Sequence, residues 1–243
     1  MKRVIGIDSS RRRLNTKAFM MTLEPILKTH GIELEYINLH DYRIDYCRGC
    51  ETCISQDFCP IQDDVDTLNQ KLIAADGIVL TSPVYMENIA GILKTYIDRN
   101  CKWFHRSALL RKPFLALSTT KGSGLGLTLG SLQRVADRWG MIPCGKIGRT
   151  IRNIHAPLTT KETTAFIEAV QNPNPGRRWV SPSQFIYFNV QKASNSIKAI
   201  DREFWEKTGL KMANYYYPAL TDPLSYIMGK LLYRLLYNKM HRK

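Results

Sequence analysis

The sequence predicts a doubly wound α/β fold: a five-stranded parallel sheet with helices on both faces. Short apolar runs alternate with longer segments of helical period along most of the chain. Most of those runs are too apolar for half-exposed strands and suit strands covered on both sides. Helix-length segments separate them, and a right-handed crossover of that length returns the chain to the same sheet.

Strands are expected over residues 3–8, 32–39, 77–82, 113–119 and 142–147, with helices over 15–29, 64–75, 90–100 and 126–139. A helix over 160–171 completes the fifth unit, and the run NPNPG at 172–176 breaks the chain after it. The expected organisation is a core domain over 1–172 and a mostly helical extension over 173–243. The extension holds an apolar segment at 185–190, a helix over 194–207, a cluster Tyr215 to Tyr217 and a helix from Pro223 to Lys243.

With 243 residues the chain exceeds a common domain size of about 100 to 150, which allows one main core and an appendage. Lys and Arg number 35 against 21 Asp and Glu, a formal net charge of +14. That balance implies an anionic partner: a phosphorylated cofactor, nucleic acid or an acidic lipid surface. Neither zinc-finger spacing nor an RNP-like aromatic pattern is present, so no nucleic-acid role is expected. No stretch approaches the roughly 20 apolar residues of a membrane span, and no apolar leader precedes the first charges, so a cytoplasmic protein is expected. The five histidines are scattered without a Ser or Cys elbow, which leaves nucleophilic hydrolysis without a motif.

In such sheets ligands bind beyond the carboxyl ends of the strands, so the loops after the first, third and fourth strands matter most. The first is Asp8-Ser9-Ser10-Arg11-Arg12-Arg13-Leu14-Asn15-Thr16, running straight into a helix. Its hydroxyls, amide and arginines at a helix start suit phosphate oxygens, although caps and a solvated charge run would look similar. The second loop is Thr81-Ser82-Pro83-Val84-Tyr85-Met86-Glu87-Asn88, in which Pro83 fixes the backbone. The third, Thr119-Thr120-Lys121-Gly122-Ser123-Gly124, lets backbone approach a flat ligand closely. It is not a dinucleotide fingerprint, because Leu129 stands where the third glycine should be.

Four of the six cysteines lie within thirteen residues: Cys47-x2-Cys50-x2-Cys53-x5-Cys59-Pro60. Soft thiolates in a compact loop suit an iron-sulfur cluster or zinc. Three cysteines at i, i+3 and i+6 wrap one face of a cubane-sized object, which favours a [4Fe-4S] cluster, while a metal-free thiol loop stays open. Cys101 and Cys144 read as ordinary buried thiols.

These loops carry a family resemblance. The first is similar to the Gly-Ser-Pro-Arg...Asn-Thr loop of NADPH-dependent FMN reductases and iron-sulfur flavoproteins, with Ser9, Arg11, Asn15 and Thr16 at matching places. Asp8 stands for the usual Gly and Ser10 for Pro, which brings a carboxylate near a dianion unless Asp8 points away. Ser82 to Tyr85 resembles the family's Ser-Pro-Val-Tyr segment, followed by Lys94, Asp98 and Arg99, and the cysteine spacing with Asp63 and Asp64 resembles its compact cluster motif.

The resemblance implies a flavodoxin-like fold binding FMN, its phosphate held by Ser9, Arg11, Asn15 and Thr16. The ring would meet Ser82, Pro83, Val84, Tyr85, Met86, Asn88, Thr119, Lys121, Gly122, Ser123 and Gly124. It implies a [4Fe-4S] cluster on Cys47, Cys50, Cys53 and Cys59, and an oxidoreductase using NAD(P)H as electron donor. A small-molecule or protein redox partner and a homodimer or homotetramer complete the expectation. Two alternatives stand beside it: a cluster-free NAD(P)H:FMN or quinone reductase, and a non-enzymatic, membrane-docked flavin electron carrier. No side chain is nominated as general acid or base, since the cofactor does the chemistry.

The last helix carries Leu224, Ile227, Met228, Leu231, Leu232, Leu235 and Leu236 at helical spacing, with Lys230, Arg234, Lys239, Arg242 and Lys243 and no acid. So wide an apolar stripe must pack on the core or a second subunit, or lie on anionic lipid as a peripheral membrane contact.

Overall fold

The computed structural model describes residues 1–172, 174 and 176–242. The expected break at 172–176 therefore lies partly outside the described residues, as does Lys243.

The elements run β1 (Lys2–Asp8), α1 (Asn15–Met21), α2 (Leu23–Thr29), β2 (Ile32–Asn38), α3 (Thr52–Ser55), α4 (Val65–Ala74), β3 (Gly77–Pro83), α5 (Gly91–Arg99), β4 (Pro113–Thr119), α6 (Leu125–Arg138), β5 (Ile142–Arg149) and α7 (Thr160–Gln171). The extension adds β6 (Arg178–Trp179), α8 (Pro182–Ser194), α9 (Ala199–Lys207), β7 (Ala219–Leu220) and α10 (Pro223–His241).

All five main strands are parallel, in the order β2-β1-β3-β4-β5. This is the flavodoxin-like order, and the chain reverses its winding direction between the adjacent β1 and β3. Strand pleating sends alternate residues to opposite faces. Ile5, Ile7, Ile78, Leu80, Phe114 and Ala116 join Leu68, Leu72, Leu93, Tyr96 and Leu132 in one core. Their strand neighbours Val4, Val79, Leu115 and Leu117 meet Phe19, Met20, Leu27, Phe166 and Val170 in the other.

Two expected helices differ in extent. The segment 15–29 is divided at Thr22 because Pro25 has no N–H to give the Met21 carbonyl, and the Thr22 hydroxyl bonds the Phe19 carbonyl instead at 2.7 Å. The helix expected over 194–207 is two: Ser194 ends α8, and α9 starts at Ala199. Ser181-Pro182-Ser183-Gln184 starts α8 with a capping box, absorbing the apolar segment at 185–190.

A third core lies beside β5, where Ile142 meets Val180, Phe185, Phe188, Trp205 and Tyr215 to Tyr217. The extension thus packs on the sheet's β5 edge, and α10 packs along α8.

Candidate functional site

β1 delivers the chain to the sheet edge at Asp8, which is fully buried. Its carboxylate accepts the Ser10 amide (2.8 Å), the Tyr36 hydroxyl (2.9 Å) and the Asn38 side-chain amide (3.1 Å), all turned toward β2. Burial outweighs these bonds and raises its pKa. Asp8 therefore organises the loop from below and keeps its charge off the ligand side.

The next residues divide their tasks. Ser9 is also buried and donates its hydroxyl to the Thr81 carbonyl (3.1 Å), tying the loop to β3. Arg13 pairs with Asp41, and Arg11 is exposed. Ser10, Arg12, Asn15 and Thr16 line a cleft. No side chain caps α1, which leaves the first helical amides to a ligand or to solvent.

The loop after β3 turns tightly. Tyr85 and Asn88 exchange backbone hydrogen bonds at 2.9 and 3.0 Å around Met86 and Glu87, whose φ values are +46° and +60°. Two consecutive non-glycine residues in the left-handed region are uncommon and concentrate where geometry serves a site. Ser82 braces the turn from behind, its hydroxyl donating to the Pro83 carbonyl and accepting the Ala90 amide. Met86 stands almost wholly in solvent.

The loop after β4 locks onto that turn. Gly124 has φ +82°, and a Cβ there would lie 2.6 Å from the Glu87 Cα, so only glycine fits. Ser123 donates to Glu87 at 2.9 Å, while Gly122 has open space above it.

The three loops close on one cleft of about 180 Å³, lined by Ser10, Arg12, Leu14, Asn15, Thr16, Pro83, Val84, Tyr85, Thr119, Thr120, Lys121 and Ile154. The lining offers two cations, five hydroxyl-bearing side chains counting Tyr85, an apolar shelf and no carboxylate. That donor set fits a phosphate joined to a planar body.

The cysteine loop is built differently. Two buried arginines clamp it. Arg99 ion-pairs with Asp63, both side chains 1% exposed, and donates to the carbonyls of Asp45 (2.9 Å) and Ile61 (3.3 Å). Burial alone would raise the Asp63 pKa, but Arg99 and the Asp45 and Val65 amides prevail and lower it. Arg106 ion-pairs with Asp201 of α9 and donates to the carbonyls of Cys53 (2.8 Å) and Ile54 (3.2 Å).

The thiols sit between these clamps, with Cys53, Cys47 and Cys59 all near enough to Cys101 to act on its thiol. Cys47 and Cys50 are exposed, Cys59 lies 3.5 Å from Arg99, and Cys53 is buried with its sulfur 3.5 Å from that of Cys101. Burial first, then Cys53, pushes the Cys101 thiol up to about 12, while the Thr52 hydroxyl lowers that of Cys50. Among the described residues no three Cys, His, Asp or Glu side chains are gathered to hold one metal ion. The expected ligands Cys47, Cys50, Cys53 and Cys59 are thus close in sequence but do not form a cage in this conformation.

Residues 1–155, from β1 through β5 and the turn beyond, match the family model described as NADPH-dependent FMN reductase. The chain belongs to that family. A second comparison narrows its place there: the chain is 36% identical over 204 residues to an iron-sulfur flavoprotein of Archaeoglobus fulgidus, covering 84% of this chain and 94% of the other. Another iron-sulfur flavoprotein of that organism is 28% identical over 220 residues, covering 86% and 99%. Among solved structures, RosB, crystallised with 8-demethyl-8-formylriboflavin-5'-phosphate, superposes with a TM-score of 0.54 at 13% identity, covering 71% of this chain and 77% of that one. That likeness is one of fold.

The cleft gathers part of the set read from the family's motifs. Asn15, Thr16, Pro83, Val84, Tyr85, Thr119 and Lys121 line it. Ser9, Ser82 and the Gly122-Ser123-Gly124 turn shape it from behind or beside, and Arg11 and Met86 project outward. Asn88 faces the other way, into a wider cleft of about 890 Å³ between α5 and α6 that also reaches Ile54, Cys101 and Trp139. The family motifs did not single out Ser10, Arg12, Leu14, Thr120 or Ile154, which also line the cleft. The FMN-reductase loop pattern put Ser9 and Arg11 forward; in the structure their neighbours Ser10 and Arg12 line the cleft, while Ser9 is tied to the Thr81 carbonyl and Arg11 is exposed. Arg106 and Cys101 were also missed, for their roles depend on loops that meet only in three dimensions.

Proposed function

We propose that this protein is an FMN-dependent oxidoreductase of the NADPH-dependent FMN reductase family, taking electrons from NAD(P)H. The observation that carries the reading is the convergence of three strand-end loops on one carboxylate-free, cationic cleft at the β1/β3 switch point. When bound, FMN would accept a hydride and pass electrons onward.

The chain's own residues would act by position. Arg12, Asn15, Thr16 and the uncapped amides of α1 would grip the phosphate, with Ser10 beside them and exposed Arg11 adding long-range attraction. Ser9 would anchor the grip on β3. Val84, Tyr85 and the Gly122 to Gly124 backbone would bracket the ring, while Ser82 and Ser123 fix the spacing between the bracketing loops. Tyr85 is half exposed, so it could cover one ring edge and exclude water there.

The relatives' printed names and the cysteine spacing support a [4Fe-4S] cluster on Cys47, Cys50, Cys53 and Cys59. The Cys53 to Cys101 sulfur contact, which engages one expected ligand outside the set of four, favours a second reading, a cluster-free NAD(P)H:FMN or quinone reductase. Anaerobic purification followed by an absorption spectrum, iron and sulfide analysis and an NAD(P)H oxidation assay separates them. Flavin bands with four iron atoms per chain support the cluster form; flavin bands without iron support the second reading. No flavin binding and no NAD(P)H oxidation contradict both.

A further inference from the structure

The exposed face of α10 has no task in the reading above. Leu224, Ile227, Met228, Leu231 and Leu235 follow i, i+3, i+4, i+7 and i+11 spacing, and each is at least half exposed. The opposite face is satisfied: Ser225 and Gly229 are buried, and Gly229 brings the helix against Phe185 of α8. The apolar stripe is thus not the packing face.

Its surroundings are cationic. Lys230, Arg234 and Lys239 lie on the helix and Arg242 follows its last turn, and the helix holds no Asp or Glu after its cap residue Asp222. Among the described residues no carboxylate pairs with any of the four; Lys230 donates to Asn214 at 2.7 Å and lies over the Tyr226 ring. The apolar surface continues past the helix start. Ile227 shares an apolar cavity of about 420 Å³ with Leu220, and Leu220 pairs in register with Trp179, which is 67% exposed. Tryptophan at such an edge suits the boundary between water and hydrocarbon.

We infer that α10 docks the protein on an anionic lipid bilayer, lying in the headgroup plane with the Leu224 to Leu235 stripe inserted and Arg234, Lys239 and Arg242 against lipid phosphates. Charge complementarity selects this occupant. A symmetric contact with a second copy would set this face against itself and bring like charges together without an anion between them. Among the described residues no helix is long and apolar enough to cross a membrane. Basic helices with an apolar stripe bind in this interfacial manner, with the excess positive charge drawn to acidic headgroups. The inference is independent of the flavin reading, because none of these residues lines the 180 Å³ cleft.

Flotation of the full-length protein with vesicles tests it, using pure phosphatidylcholine and phosphatidylcholine containing about 30% phosphatidylglycerol. The expected result is capture by the anionic vesicles at least about tenfold above the neutral ones, falling as salt is raised. Leu231→Asp with Leu235→Asp, at exposed positions that leave the fold intact, should abolish capture. Arg234→Gln with Lys239→Gln should weaken it by roughly fivefold per cation removed. Equal capture by both vesicle types, or capture that survives the leucine pair, overturns the inference. So does sedimentation in which the leucine pair dissolves a wild-type oligomer while neither form binds vesicles, for that assigns the face to a second copy.

Discussion

The cleft at the sheet edge and the cysteine loop are both built from turns, yet they are held in place by different means. The cleft's turns leave parallel strands whose registers fix where each turn begins, and they bond one another through Ser9 to Thr81, Val84 to Thr119 and Thr120 to Arg149. The cysteine loop spans more than twenty residues between β2 and α4 with one four-residue helix inside it. Among its fixed points are the two guanidiniums of Arg99 and Arg106, which hold its backbone through the carbonyls of Asp45, Ile61, Cys53 and Ile54. A site inherited from strand register is preorganised; one suspended from side chains needs its ligand, or a clamp, to define it.

The largest expected effect lies on the clamp. Arg99→Ala leaves Asp63 buried without its cation and two carbonyls without a donor, so chemical denaturation should report a loss of about 3–5 kcal/mol. The cleft should answer more mildly in stability and more sharply in binding. Gly124→Val forces a β-branched residue to φ +82° against the Glu87 backbone, costing about 1–2 kcal/mol for the left-handed conformation alone. FMN affinity, read by flavin fluorescence, should fall with it because the two ring loops are pushed apart. Arg12→Ala and Asn15→Ala should each weaken FMN by about tenfold, the cost of one charge-assisted hydrogen bond, and Arg11→Ala by less.

Titration distinguishes the regions further. At neutral pH in the metal-free protein, alkylation should modify Cys50 first, exposed and with its pKa lowered by Thr52, and Cys101 last, held near 12 by burial beside Cys53. Reversed order in mass spectrometry would contradict the loop geometry described. The smallest effect is at the β5 end, where Arg149 holds the Glu162 carboxyl down at about 2 against 4.5 unfolded. A depressed carboxyl contributes stability above its unfolded pKa and loses it on acidification, here between about pH 4.5 and 2. Glu162→Gln should flatten that part of the stability profile.

Much of the fold was legible because parallel strands announce themselves. The apolar runs at 77–82 and 113–119 have no other home than a doubly covered sheet, and β4 begins and ends where expected. Helix boundaries were less legible where a local feature competed with periodicity: Pro25 inside a helical pattern, and the Ser181 capping box ahead of the apolar segment at 185–190. At the cleft, the loops were legible but the facing of neighbours was not. That Ser10 and Arg12 rather than Ser9 and Arg11 line the cleft depends on loop geometry that local spacing does not encode. The Cys53 to Cys101 contact joins positions 48 residues apart and leaves no mark in local spacing.

The proposed grip of the sheet-edge cleft on a phosphorylated flavin is open to direct measurement. Its most direct test is equilibrium titration of the apoprotein with FMN and, in parallel, with riboflavin, which lacks the phosphate. The expected result is one FMN per chain, bound at least about a hundredfold more tightly than riboflavin, with most of that preference lost in an Arg12→Ala, Asn15→Ala double variant. Equal affinity for both flavins, or a preference unmoved by the double variant, would contradict it.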